Sequence, residues 1–241
     1  MKQIFVSQNC TLHQTIPLDE WQAHHLFDVL RIEKKEVIRV VDNQSQVFLA
    51  HPKEKPYVYL FNEIETEQNL QHITLCCALI KQDKFEWMLQ KACELGVTRI
   101  VPFYSRNTVI RLDAAREKKK LERWSKILLS ACSQCNRIDL VELTPIQTID
   151  TLLDFQSTCN LVAYEKEDDP SRHLAHYLQD DPKSITICIG PEGGFETFEI
   201  NKLKEQHFRT CSLGNRILRA ETAACYALAC IDYQRHTKEG F

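Results

Sequence analysis

Between Glu36 and Ile64 apolar residues alternate with polar ones in three short runs, Val37–Val41, Val47–Leu49 and Tyr57–Phe61. The runs are broken by Asp42-Asn43, His51-Pro52 and Lys55-Pro56. A period of two sends alternate side chains to opposite faces, so these runs predict strands of a small β domain. Ahead of them, Leu18 to Leu30 has apolar residues at helical spacing, and His25, Leu26, Val29 and Leu30 fall on one face of the predicted helix. The polar stretch Glu63–Gln71 then predicts a hinge. Beyond it the texture changes. Ile73–Ile80 is almost continuously apolar and predicts a buried strand, Lys84–Leu95 predicts a helix stopped by Gly96, and Arg99–Phe103 predicts the next strand, together a β-α-β unit. Leu121–Cys135 reads as a long helix, and Asn160–Tyr164, Ser184–Ile189 and Arg209–Leu213 as further strands. Strands alternating with helices predict a mostly parallel sheet covered on both faces.

Composition adds limits. With 241 residues, 44% apolar and 26% charged, the chain can bury a real core as one or two domains. No apolar run approaches the ~20 residues of a membrane span. The start, Met1 to Cys10, lacks the apolar stretch of a secretory signal, so the cytoplasm is the expected compartment. Among the 11 cysteines, Cys76, Cys77, Cys188, Cys225 and Cys230 lie in apolar surroundings and are expected to pack in the core. Cys132 and Cys135 form a lone CxxC pair without partners at zinc-site spacing, so thiols rather than metal ligands are expected. The formal net charge of −3 would not by itself draw the chain to nucleic acid, which leaves only local patches. From Arg99 to Lys126 nine Lys or Arg residues stand against three acids. A solvated helix face from Asp113 to Lys126 explains such a run as readily as an RNA footprint does.

Parallel sheets bind ligands in loops beyond the carboxyl ends of their strands, and two such segments carry candidate chemistry. The first, Ile189-Gly190-Pro191-Glu192-Gly193-Gly194-Phe195, holds three of the six glycines and opens a helix near Glu196-Thr197. Glycine there permits tight turns and close approach of backbone to a ligand. No Gly-Lys-Ser/Thr follows and the GxGxxG pattern is absent, which argues against a phosphate loop or a dinucleotide fingerprint. The second runs from Leu213 to Ala224 into an alanine-rich helix, and sets Arg216, Arg219 and Glu221 beside Ile217 and Leu218. That density of charge is unusual for a core connection.

GPEGGF at 190–195 followed by LGNRILRAETA at 213–223 resembles the paired signature of the ribosomal small-subunit methyltransferase E family. These are SPOUT-class enzymes that methylate N3 of a uridine in 16S rRNA. The likeness extends to Lys91–Val97, to Pro102 with Ser105-Arg106, to Gln134 with Arg137 before Pro145, and to His25-Leu26 with Val29-Leu30-Arg31. It implies an α/β fold: a PUA-like β-barrel that binds RNA over residues 1–70, then a SPOUT domain over 72–241 whose C-terminal segment forms a trefoil knot. It also implies S-adenosylmethionine as cofactor, 16S rRNA within the assembled small ribosomal subunit as partner, and a homodimer, with neither metal nor membrane involved. The chain departs from the family pattern at Ser133, where an acid is usual, and at Lys35-Glu36, where Gly-Asp is common; Met1–Val6 lacks the usual arginine.

From the resemblance, the expected cofactor contacts are Ala163, Tyr164 and Glu165, then Ile189, Gly190, Pro191, Glu192, Gly193 and Gly194, then Leu213, Gly214, Asn215, Arg216, Ile217 and Leu218. Methyl transfer to a ring nitrogen is an in-line displacement that depends on positioning, and the N3 proton must leave as charge spreads onto the uracil oxygens. Arg219 is the candidate to stabilise that charge, and Glu221 the candidate to orient Arg219 by pairing with it or, as the alternative, to accept the proton. Arg31, Lys34, Arg106, Arg111 and Arg137 are the candidate phosphate contacts. The competing readings are the same chemistry on another RNA, a non-catalytic RNA-binding relative, and a nucleotide-binding enzyme using GPEGG as a cradle.

Overall fold

A computed structural model describes residues 1–66 and 72–239. Its contacts divide the chain into two units, Met1–Asn69 with Cys132–Leu140, and Leu70–Ala131 with Val141–Phe241. A boundary drawn near residue 70 therefore misses one exchange, because Cys132–Leu140 joins the N-terminal unit. Gln3 Nε2 donates to the Arg137 carbonyl at 2.6 Å, a tie invisible to periodicity.

The N-terminal unit is a five-stranded sheet in the order β1-β3-β4-β5-β2, built from β1 (Lys2–Phe5), β2 (Thr15–Pro17), β3 (Ile38–Val41), β4 (Val47–Pro52) and β5 (Tyr57–Ile64). β1 and β3 run parallel and the remaining pairs antiparallel. Ile16, Leu26, Ile38, Val40, Phe48, Val58 and Leu60 form its core. The helical segment departs from expectation. A short α1 (Glu20–Ala23), capped by Asp19, runs into a π-helical turn over His24–Val29. The wider turn carries the following residues off the face that Leu26 buries, so Val29 is 56% and Leu30 36% exposed. The predicted hinge is taken up by β5 as far as Ile64; residues 67–71 lie outside the described residues.

The second unit is a seven-stranded sheet with every pairing parallel. Its elements are β6 (His72–Ala78), α2 (Gln82–Glu94), β7 (Arg99–Tyr104), α3 (Ala114–Gln134), β8 (Glu142–Leu143), β9 (Gln147–Thr148), β10 (Cys159–Ala163), α4 (Leu174–Gln179), β11 (Ser184–Ile189), α5 (Thr197–Glu205), β12 (Arg209–Cys211) and α6 (Ala220–Glu239). The order is β12-β10-β11-β6-β7-β8, with β9 also on β7. β6 and β11 are buried almost end to end, as central parallel strands must be when both faces are covered.

Helix α3 begins seven residues ahead of the predicted Leu121, at Ala114. Asp113 Oδ1 accepts from Arg116 N at 2.8 Å, which satisfies one of the open N–H groups of the first turn. Arg116, Lys118, Lys119, Arg123 and Lys126 are exposed, while Trp124 and Leu128 face the core. Among the cysteines, Cys76, Cys77 and Cys188 are buried as expected, but Cys225 and Cys230 on α6 are only half-buried. Among the described residues there is no group of three or more side chains able to hold a metal, and no helix long and apolar enough to cross a membrane.

Candidate functional site

Strands β12, β10 and β11 are neighbours and point the same way, so the loops that leave them emerge along one edge. Those loops enclose a cavity of about 640 Å³. The segment after β12 is held against the one after β10 by main-chain bonds: Ser212 N donates to Arg172 O at 2.9 Å and Leu174 N to Ser212 O at 3.0 Å. The Gly-rich loop after β11 closes on itself through Gly194 N to Pro191 O at 2.9 Å.

Glycine is required here for reasons the coordinates make explicit. Gly194 has φ +70°, and a Cβ on it would come within 2.9 Å of Glu165 Oε1; a Cβ on Gly190 would come equally close to the Phe195 ring. Gly214 has φ +107° and open space around it, so only its backbone angle demands glycine.

The three segments named from the sequence do converge. Ala163, Tyr164, Glu165, Ile189, Gly190, Pro191, Glu192, Gly194 and the whole run Leu213–Leu218 line the cavity, and Arg219 lines it too. Gly193 does not. Its carbonyl accepts from Asn107 Nδ2 at 3.2 Å, and a Cβ there would meet Asn107 Cβ at 3.0 Å, so this glycine serves a packing contact behind the loop. Glu221 is also misplaced by the sequence reading. Its carboxylate faces Lys84 Nζ at 3.4 Å, away from the cavity, and its Oε2 is buried with no hydrogen-bond partner. The first turn of α6 points Glu221 toward α2, so the expected pairing with Arg219 is replaced by one with Lys84.

Sequence reasoning missed the acidic segment Glu167-Asp168-Asp169 and His173, which complete the wall after β10. Burial would raise the Glu167 carboxyl, but hydrogen bonds from Thr210, the Asp169 N–H and Arg172 together hold it below its ordinary value. Arg172 Nη1 reaches Glu167 Oε2 at 3.1 Å, and the Asp169 carboxylate caps the turn at Ser171 N. The one advance signal was Asp169-Pro170, a turn-forming pair that fixes where this loop folds back.

Of the candidate RNA contacts, Arg31, Lys34 and Arg106 are exposed. Arg111 is exposed but engaged: its Nη2 donates to Ser105 O at 3.0 Å, and its guanidinium lies 5.0 Å from the Tyr104 ring centre. Arg137 is the most enclosed of the five. Its side chain is only 10% exposed and pairs with Asp139, with Nε to Oδ1 at 3.2 Å, so its charge is engaged within its own segment.

A family model described as an RNA methyltransferase domain matches residues 66–232. The ribosomal RNA small subunit methyltransferase E of Bacillus subtilis is 38% identical over 91% of this chain and 90% of its own length. This chain belongs to that family. The Rickettsia conorii member is 30% identical over 94% of this chain and 93% of its own. The crystal structure of the Neisseria gonorrhoeae member, bound to S-adenosyl methionine, has 28% identity, covers 97% of each chain and superposes with a TM-score of 0.83.

Proposed function

We propose that the chain transfers a methyl group from S-adenosylmethionine to N3 of a uridine in 16S rRNA. The observation that carries the reading is the convergence of three strand-end loops on one cavity. The cavity suits the cofactor: Gly190 and Gly194 let main chain approach closely, Ile189 and Leu218 offer apolar surface, and Glu165, Asp168 and Glu192 set negative charge around a ligand that bears a cation. S-adenosylmethionine, when bound, supplies a methyl group on a positively charged sulfur. The residues of this chain hold donor and acceptor in line and keep water out, which is where most of the rate gain of such a displacement arises.

Arg219 lies on the cavity wall with its charge available to the uracil oxygens as the N3 proton leaves. Glu221, committed to Lys84, has no part in that step. The segment Ser212–Arg219 is read as the threaded strand of a trefoil knot. Supporting this, its start is bonded to Arg172 and Leu174 of the β10–β11 crossover, and the helix it leads into, α6, packs on α2 beside a different part of the sheet. The N-terminal sheet is read as a PUA-like RNA-binding module using Arg31 and Lys34. A homodimer in the cytoplasm, acting on the small ribosomal subunit, completes the proposal.

The test is mass-spectrometric mapping of methylated nucleosides in 16S rRNA from a strain lacking the gene. A single N3-methyluridine should vanish and return on complementation. An unchanged methylation map would remove the assignment.

A further inference from the structure

Behind the Gly-rich loop, outside the cavity, lies a seam to which no role is yet assigned. It joins the turn after β7, Ser105 to Thr108, to the loop Gly193–Glu196 and the first turn of α5. Asn107 Nδ2 lies 3.2 Å from both the Gly193 and Gly194 carbonyls and 3.0 Å from Glu196 Oε1. Glu199, 1% exposed, reaches back: its Oε1 accepts from Arg106 N at 2.9 Å, and its Oε2 accepts from Ser105 Oγ at 3.2 Å and Glu196 N at 2.9 Å. A carboxylate so deeply buried is tolerable only because these donors surround it.

The seam has three consequences. The carbonyls that Asn107 holds belong to the glycines of the loop, so the amide fixes peptide planes whose other side faces the cavity at Gly194. A Cβ on Gly193 would stand 3.0 Å from Asn107 Cβ, close enough that one of the two would have to shift. Arg106, exposed and a candidate phosphate contact, is anchored through its own N–H to the same carboxylate that orders the start of α5. We infer that Asn107 and Glu199 are positioning residues for methyl transfer: they shape the cofactor loop from behind and lock it to the turn that presents Arg106, so that cofactor and RNA sites order each other.

This rests on the proposed function, and the test separates the two. Full-length parent, Asn107→Ala, Asn107→Asp and Glu199→Gln are compared for S-adenosylmethionine affinity by calorimetry and for melting temperature. Affinity for a 16S rRNA fragment is measured with and without saturating S-adenosylhomocysteine. Asn107→Ala removes the donors, and the expected loss of cofactor affinity is about tenfold, the scale of one or two hydrogen bonds. Asn107→Asp keeps the shape but sets a carboxylate against two carbonyls and Glu196, so its loss should be larger than that of alanine. In the parent, the cofactor product should tighten RNA binding by at least about fivefold, and the Asn107 variants should lose that coupling. A purely structural role would lower the melting temperature without changing the ratio of the two RNA affinities. Overturning results are Asn107 variants that bind cofactor like the parent, equal losses for Ala and Asp, or a coupling ratio that survives both substitutions. Glu199→Gln should reproduce the loss of coupling, and a folded Glu199→Gln protein with parental coupling counts against the inference. A parent that binds no S-adenosylmethionine would instead sink the proposed function itself.

Discussion

The two units differ in where they use glycine, although both make left-handed turns with other residues. The N-terminal unit contains no glycine, and it places His13, Arg31, Ser45 and Asn136 at positive φ, between +47° and +65°. The parallel-sheet unit uses Asp181 at φ +51° and His207 at φ +63° in the same way, but places Gly194 and Gly214 at positive φ beside its cavity. A left-handed angle near +50° to +65° alone, then, does not call for glycine in this molecule, whereas the +107° of Gly214 does. Glycine stands where a Cβ would meet a buried ring, as at Gly190, where the angle reaches +107°, as at Gly214, or where a ligand needs the main chain bare, as beside Gly194. The glycine-free unit is a scaffold whose polar side chains bond each other, while the glycine-bearing edge leaves main chain open for something else.

The harshest way to break this contrast is Gly194→Val. A β-branched residue would have to adopt φ +70° with its Cβ against Glu165, so S-adenosylmethionine binding by calorimetry should be lost. Circular dichroism must show a folded protein, and normal binding by that protein would remove the loop from the site. The matching change at a left-handed position of the N-terminal unit, Ser45→Gly, should leave cofactor binding unchanged and shift stability by no more than about 1 kcal/mol.

Next in size is Arg219→Ala. If its charge acts only as the uracil becomes anionic, single-turnover methylation should slow by about 10² to 10³, the usual effect of removing one transition-state donor, with RNA affinity spared. Equal losses of rate and RNA affinity would show Arg219 to be a binding residue.

Arg106 and Arg137 then separate open charge from committed charge. Arg106→Glu should weaken RNA binding by roughly tenfold and flatten its salt dependence, as expected when a phosphate contact is lost. Arg137→Ala should leave the salt slope alone and lower the denaturation midpoint, because it strips Asp139 of its partner in the N-terminal unit. A changed salt slope in the Arg137 variant would restore it to the RNA surface.

How much of this was legible follows the same division. The cavity loops were readable because glycine, strand ends and a following helix leave local marks in the sequence, and Ala163–Glu165, Gly190–Gly194 and Leu213–Arg219 do come together, Gly193 excepted. What the sequence hid lies where a side chain's partner is distant along the chain. Glu221 turned to Lys84, 137 positions earlier, and Glu199 to Ser105 and Arg106, ties no periodicity reveals. The π turn at His24–Val29 defeated a helical face drawn at 3.6 residues per turn, and β1 and β2 were too short to register as alternation. The acidic segment Glu167–Asp169 left no mark because the pairing of Glu167 and Asp169 with Arg172 forms only on folding.

The smallest effect contrasts the buried thiols of the two sheets. Burial in the parallel sheet pushes Cys211 up to about 12, with nearby Cys159 and Glu167 adding to the effect. In the N-terminal unit burial, reinforced by the charge of Asp42, pushes Cys10 up to about 11. An unfolded cysteine ionises near about 8.5. Between that pH and the folded values the native state keeps protons that the unfolded state releases, so stability is complete below about pH 8.5 and falls as pH rises toward 11 or 12. For a fully buried thiol the slope is up to about 1.4 kcal/mol per pH unit. Urea midpoints measured under reducing conditions from pH 8 to 10 should therefore decline, and Cys211→Ala should make the decline shallower whatever it does to the midpoint at pH 7. Cys10→Ala should do the same through the other sheet. If the two substitutions flatten one shared transition, the units unfold together; if each flattens a separate transition, the division between a glycine-free scaffold and a glycine-bearing edge is also a division of stability. A midpoint unmoved between pH 8 and 10 would show that neither thiol is as shielded as its burial implies.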